Sequence, residues 1–189
     1  MTTLETRTGH PLAMTTADEV TAVKDVLSDA GLLTENVRYA FFAPEEPAKD
    51  EVLAHPDGAS ADRRFRAVLL DISTGRSWDT VVSATSRTLV SSRELEPATD
   101  GQPPIIDTEF ELIEGILNEN ADWLAALAAR DIEPASVRAV PLSAGVYDYP
   151  EETGRRIVRA FGFQQDHEKD HPWAHPIDGL VAYVDLTAR

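Results

Sequence analysis

The chain has no cysteine, which excludes disulfides, thiolate metal ligands and a cysteine nucleophile. Basic residues are scarce: 17 Lys and Arg stand against 33 Asp and Glu, for a formal net charge of −16. A surface of that sign repels phosphate, so this is not the sequence of a general nucleic-acid or anionic-membrane binder. No run approaches the roughly 20 apolar residues of a transmembrane helix, and residues 1–8 have neither the basic start nor the apolar core of a signal peptide. These absences predict a soluble, cytoplasmic chain. There is also no glycine-rich phosphate loop and no Gly-x-Ser-x-Gly elbow; Pro141-Leu142-Ser143-Ala144-Gly145 is not one. Carboxylates are too numerous for an acid–base pair to be singled out without geometry. The doublets Glu45-Glu46, Asp50-Glu51 and Glu151-Glu152 lie beside proline or turn residues and read as solvated faces.

What is present suits ordinary globular cores. Apolar residues make up 42% of the 189, a length that fits one or two domains of roughly 100 to 150 residues each. Between Leu95 and Pro104, proline, glycine and polar residues replace any periodic pattern. The expected organisation is therefore a first domain over 1–96, a linker over 97–104 and a second domain over 105–189.

Each half starts with helix signals. Thr16-Ala17-Asp18-Glu19 is a capping-box pattern, with Val20, Val23, Leu27 and Ala30 on one stripe and Gly31 as the stop. Thr108-Glu109-Phe110-Glu111 reads the same way, with Phe110, Ile113 and Leu117 on its stripe. A further helix is expected from Ala121 to Arg130, capped by Asn120 and apolar at Trp123, Leu124 and Leu127. Strands are expected at Asn36–Phe42 and Ser136–Leu142, and a hairpin joins Ala67–Ile72 to Ser77–Ser83 through Gly75. The shared order of helix and strands predicts an α+β fold that is internally duplicated.

The C-terminal segment repeats the grammar of Ala67–Gly75: Leu180-Val181-Ala182-Tyr183-Val184-Asp185-Leu186-Thr187 is an apolar run, an Asp, one more apolar residue and a turn residue. On this reading Trp173–Gly179 is a loop feeding a buried strand whose return partner lies beyond Arg189, and the chain is a piece of a longer polypeptide. Across residues 167–175, leading into that loop, His167, His171 and His175 recur every four residues beside Glu168 and Asp170. On a continuous helix they would share a face and could bind Zn²⁺ or Cu²⁺, but Pro172 and Pro176 argue for a loop. His10 and His55 are isolated. No catalytic, cofactor-binding or metal-binding residue is assigned.

Three segments together carry a resemblance: Pro141–Val146, Gly154–Arg159 and above all Trp173-Ala174-His175-Pro176-Ile177-Asp178-Gly179-Leu180-Val181-Ala182-Tyr183-Val184-Asp185. They resemble the second of two small N-terminal domains (N2 and N3) of bacterial copper amine oxidases, and His10-Pro11-Leu12 with its following helix is similar to the start of the first. The resemblance runs from His10 to Leu186. It implies two tandem cystatin-like units, each a helix packed on a small antiparallel sheet, with the second truncated before its last strand. In the parent enzyme it implies oxidation of a primary amine to an aldehyde, using one copper ion and a topaquinone made from a tyrosine, in a homodimer. Those groups belong to a large following catalytic domain, which this sequence does not contain and which would be the chain's partner.

The Val146-Tyr147-Asp148-Tyr149 stretch resembles the cofactor-forming tyrosine motif but lacks its Asn, so Tyr147 is not expected to be a quinone precursor. By resemblance, Phe110, Leu142 and Trp173 are expected at the wall of the amine channel. The chain alone is then a non-catalytic region that supplies packing and channel wall, binding neither copper nor quinone. The competing reading is a stand-alone acidic interaction module without enzymatic activity.

Overall fold

Thr16 caps the first helix, α1 (Ala17–Asp29), of the computed structural model, in which residues 9–56, 58–145 and 149–187 are described. Its hydroxyl accepts the Glu19 N–H, and the Glu19 carboxylate accepts the Thr16 N–H at 2.8 Å, completing the expected capping box. At the other end Gly31, at φ 72°, takes the left-handed conformation that lets Leu32 N–H reach the Leu27 carbonyl. Ala22, Val23 and Leu27 form the buried stripe. Val20 and Ala30, expected on it, are exposed, because the stripe runs through positions 22, 23, 26 and 27 instead.

The chain divides into two compact units, Met1–Leu95 and Glu96–Arg189. In the first, α1 is followed by β1 (Val37–Pro44), a short helix α2 (Lys49–Ala54), β2 (Arg64–Asp71), β3 (Ser77–Ser83) and β4 (Thr88–Leu95). The strands form one antiparallel sheet in the order β1-β2-β3-β4. The expected β2–β3 hairpin is present, with Gly75 at φ 73° and its N–H on the Asp71 carbonyl at 2.8 Å. Val23 and Leu27 of α1 pack on Phe65, Ala67 and Leu69 of β2 and Val82 of β3. Complete burial of a Leu or Phe side chain contributes roughly 1.5–3 kcal/mol each.

The second unit comprises α3 (Pro97–Asp100), α4 (Asp107–Glu119), α5 (Ala121–Ala128), β5 (Val137–Ser143), β6 (Ile157–Gln164) and β7 (His175–Asp185). Its three strands are antiparallel in the order β5-β6-β7. Ile113 and Leu117 of α4 and Trp123 and Leu127 of α5 cover the sheet face bearing Val137, Val158, Ala160, Leu180 and Val184. Asn120 caps α5, its side chain accepting the Trp123 N–H at 2.9 Å as expected. Helix α4 begins two positions earlier than the Thr108 cap reading: Ile106, not Thr108, is the cap, and the Glu109 carboxylate accepts the Ile106 N–H at 3.0 Å. Glu109, not Phe110, is buried beside Ile113 and Leu117; Phe110 is half-buried on the flank.

The C-terminal strand differs from expectation in two ways. It starts at His175, so His175–Gly179 belongs to β7, and it pairs along β6 with Ile157 opposite Asp185. It is also buried on one face only: Val181 and Tyr183 are exposed while Leu180 and Val184 are not. As the third strand in chain order, β7 occupies the place of β3, not of β2. The likeness to Ala67–Gly75 lies in turn chemistry. Asp71 Oδ1 accepts both the N–H and the hydroxyl of Ser73, and Asp185 Oδ1 does the same for Thr187.

The duplication does extend to side chains. Arg38 Nη1 donates to the carbonyls of Glu35 and Val37, and Arg138 Nη1 to those of Ala135 and Val137, so β1 and β5 correspond. The end of α1 corresponds to the end of α5, where Asp131 at φ 55° takes the place of Gly31 and Ile132 N–H reaches the Leu127 carbonyl. One helix in the first unit is thus matched by the α4–α5 pair in the second.

Candidate functional site

The strongest electrostatic feature of each unit is an arginine just before a central strand. Arg63 precedes β2: its Nε donates to Glu19 Oε1 at 2.8 Å, its Nη2 to the Ala13 carbonyl at 2.8 Å, and its Nη1 to the Pro11 carbonyl. Arg156 precedes β6: its Nε and Nη2 make a two-pronged pair with Glu109 at 2.5 and 2.6 Å, and its Nη1 and Nη2 reach the carbonyls of Pro103 and Pro104. Planar guanidinium geometry satisfies a carboxylate and two carbonyls at once, as an ammonium could not. Burial of Glu19 opposes its ionisation, yet the hydrogen bonds from Arg63 and Thr16 outweigh it and hold its carboxyl below its ordinary value. Each arginine therefore ties a helix start and the segment entering it to the sheet. These are structural anchors, and they occupy the positions where an acid–base pair would otherwise be suspected.

The three residues expected at a channel wall are distributed over the second unit. Leu142, 52% exposed in β5, lies opposite Arg159 of β6, which in turn lies opposite Tyr183 of β7. The Arg159 guanidinium stands 5.1 Å from the centre of the Tyr183 ring, giving this outer row an apolar and cationic–aromatic character. Trp173, also 52% exposed, is in the β6–β7 loop, its N–H on His171 Nδ1 at 3.2 Å and its ring edge-on to that imidazole. Leu142 pairs near the start of β6, whereas Gln164 at the end of β6 pairs with His175 beside the loop. Five strand positions at about 3.3 Å each put roughly 17 Å between those two ends. Phe110 follows Glu109 at the Arg156 end, on the helix side of the sheet. The sheet thus keeps Leu142 and Trp173 at opposite ends and Phe110 on another face.

The three loop histidines do not share a helical face. Their segment is a series of turns, in which His171 is turned to Trp173 while Asp166, Asp170 and His175 bring ligand atoms to within 4.8 Å of one another. In the first unit, the rings of His10 and His55 are 5.5 Å apart and edge-on, a contact not foreseen for two isolated residues. His55 also borders a cleft of about 520 Å³ with Glu45, Glu46, Glu51, Asp62 and Arg64. Tyr147 lies outside the described residues.

Family comparison follows the same two-unit division. Residues 16–92 match the model of the AGAO-like N2 domain, and residues 108–189 that of the copper amine oxidase N3 domain. The chain belongs to the copper amine oxidase family. Over 95% of its length this copper amine oxidase segment is 47% identical to a histamine oxidase of Arthrobacter globiformis, covering 26% of that protein. It is 32% identical to a primary amine oxidase of an Arthrobacter species and 24% identical to one of Klebsiella aerogenes, covering 27% and 24% of them. It therefore spans about a quarter of the length of the relatives it matches. A copper-containing benzylamine oxidase structure from Hansenula polymorpha superposes with a TM-score of 0.62 over 85% of this chain and 25% of that one, at 14% identity. That likeness supports the α+β fold of helices on antiparallel sheets. Among the described residues, no helix is long and apolar enough to cross a membrane.

Proposed function

We propose that this chain is the non-catalytic N-terminal region of a copper- and topaquinone-dependent primary-amine oxidase, which converts an amine, O2 and water to an aldehyde, ammonia and hydrogen peroxide. The carrying observation is the consecutive match of the N2 and N3 domains together with 47% identity to a histamine oxidase. Copper and the quinone would supply the redox chemistry from a catalytic region of the same polypeptide, in a homodimer.

The described residues do not fit that copper centre as three imidazoles. His167 and His175 flank Asp170, His171 is directed to Trp173, and His10 and His55 lie in the first unit. The role left to this chain is to pack against the catalytic region and to shape the approach of the amine. Leu142 and Trp173 support a wall role because both keep about half of their surface exposed, and apolar side chains at a channel desolvate the organic tail of an amine while leaving its nitrogen free. Phe110, being half-buried, would contribute an edge. The relative's name makes histamine the first amine to test.

The test is peroxide release from the 189-residue chain with histamine, phenylethylamine or tyramine in the presence of Cu²⁺. No turnover above a metal-only blank is expected, and no quinone absorbance after copper treatment. Amine-dependent peroxide would place the chemistry in this chain and overturn the reading.

A further inference from the structure

The β6–β7 loop has a geometry that neither the anchors nor the wall residues require. Its ends are fixed by the Gln164–His175 strand pair and by Gln165 N–H on the Ser136 carbonyl at 2.8 Å. Its centre folds back, so that Asp170 Oδ2 accepts the N–H groups of Asp166 and His167 at 3.1 and 3.2 Å while Gln165 Nε2 donates to the Asp170 carbonyl at 3.0 Å. Asp170 is thereby held with its side chain only 18% exposed, facing Asp166 and His175. His167 Nε2 approaches the other carboxylate oxygen of Asp170 at 2.9 Å.

We propose that Asp166, Asp170 and His175 form a binding site for a first-row divalent transition cation, with His167 beside it on the Asp170 carboxylate. Their ligand atoms lie within 4.8 Å of one another. Two opposed metal bonds of roughly 2.1 Å span about 4.2 Å, so a small rotation of the exposed Asp166 and His175 side chains closes the triad. A mixed imidazole and carboxylate set favours Zn²⁺, Co²⁺, Ni²⁺ or Cu²⁺ over the all-oxygen cations Mg²⁺ and Ca²⁺. This donor set differs from a three-imidazole centre, so the site is separate from the proposed catalytic copper. A bound ion would cross-link residues 166, 170 and 175 and stiffen the loop that carries Trp173.

The experiment is calorimetric titration of the metal-stripped 189-residue chain with Zn²⁺. One equivalent is expected to bind, with affinity reduced by about tenfold or more in Asp166→Asn and in His175→Gln and unchanged in His171→Gln. The Asp166 carboxylate has no hydrogen-bond partner among the described residues, so its variant should fold. Histidine-ring NMR on the unsubstituted chain supplies a second readout: His175 and His167 resonances should shift with Zn²⁺ while those of His10, His55 and His171 stay in place. Absence of saturable binding, binding unaffected by both ligand variants, or shifts centred on His171 would each overturn the site.

Discussion

Arg156 holds Glu109 through paired hydrogen bonds at 2.5 and 2.6 Å, with both side chains at most 5% exposed. Arg156 also fixes the entry to α4 by donating to the carbonyls of Pro103 and Pro104. Removing either partner leaves the other charged, buried and uncompensated. Glu109→Gln and Arg156→Met should each destabilise the second unit by about 3–5 kcal/mol, whereas the double change Glu109→Leu with Arg156→Met should cost much less. Urea denaturation, with Trp123 fluorescence reporting on this unit, measures both. Equal losses in the single and double variants would contradict the anchor reading.

The helix start of the first unit should be acid-sensitive. The depressed carboxyl of Glu19 contributes stability above its unfolded value, and that contribution disappears as pH falls through the lower folded value, on the acid side of pH 4.5. Acidification also relieves the repulsion within a chain of net charge −16, so the informative quantity is a difference. The gap in melting temperature between the unsubstituted chain and Arg63→Met should narrow below that pH and widen above it, a residual difference remaining from the lost bonds to the Pro11 and Ala13 carbonyls. Parallel curves would show that the pair carries no proton linkage.

Gly162 is a packing residue. A Cβ placed on it would meet Trp123 Cη2 at 3.2 Å, Ile177 Cδ1 at 3.1 Å and Leu180 Cδ2 at 3.3 Å, so the indole can lie on β6 only because no side chain is there. Gly162→Ala should destabilise the second unit by about 1–3 kcal/mol through overpacking, and Gly162→Ala with Trp123→Phe should recover part of the loss in the same denaturation assay.

Asp131 sits at φ 55° where the first unit uses Gly31. An L side chain in that conformation costs about 1 kcal/mol. Asp131→Gly should therefore raise the melting temperature of the second unit, and Gly31→Ala should lower that of the first.

Local signals were the legible ones. The capping box of Thr16 and Glu19, the Asn120 cap and the β2–β3 hairpin each depend on residues close in sequence. The Arg156–Glu109 anchor joins residues 47 apart, and its trace in the sequence, Arg-x-x-Arg-Ala at Arg63–Ala67 and again at Arg156–Ala160, has no meaning until the strands are placed. Strand β4 was missed because Ser91, Ser92, Arg93 and Glu94 are exposed on a sheet edge and do not alternate. The start of β7 was read as loop because of Pro176, which an edge strand tolerates. The likeness of β7 to β2 misled for a related reason: an Asp turn marks the end of a strand without saying which strand it is. Of the expected wall residues, the exposure of Trp173 followed from its proline-flanked loop, whereas that of Leu142, at a strand end where core packing was as good a reading, did not, and neither did their separation along the sheet.

The matched ends of α1 and of the α4–α5 pair have a practical use. Both units hold their first helical turn with an arginine and leave the last turn through a left-handed residue and the same local cap, the N–H of Leu32 or Ile132 on the carbonyl of Leu27 or Leu127, while the helical path between those points is a single rod in one and a broken rod in the other. Chain length is therefore negotiable there and fixed at the ends. For labelling or sensor insertion the place to open the second unit is the exposed break at Asn118–Asn120, where added residues would leave entrance and exit where they are.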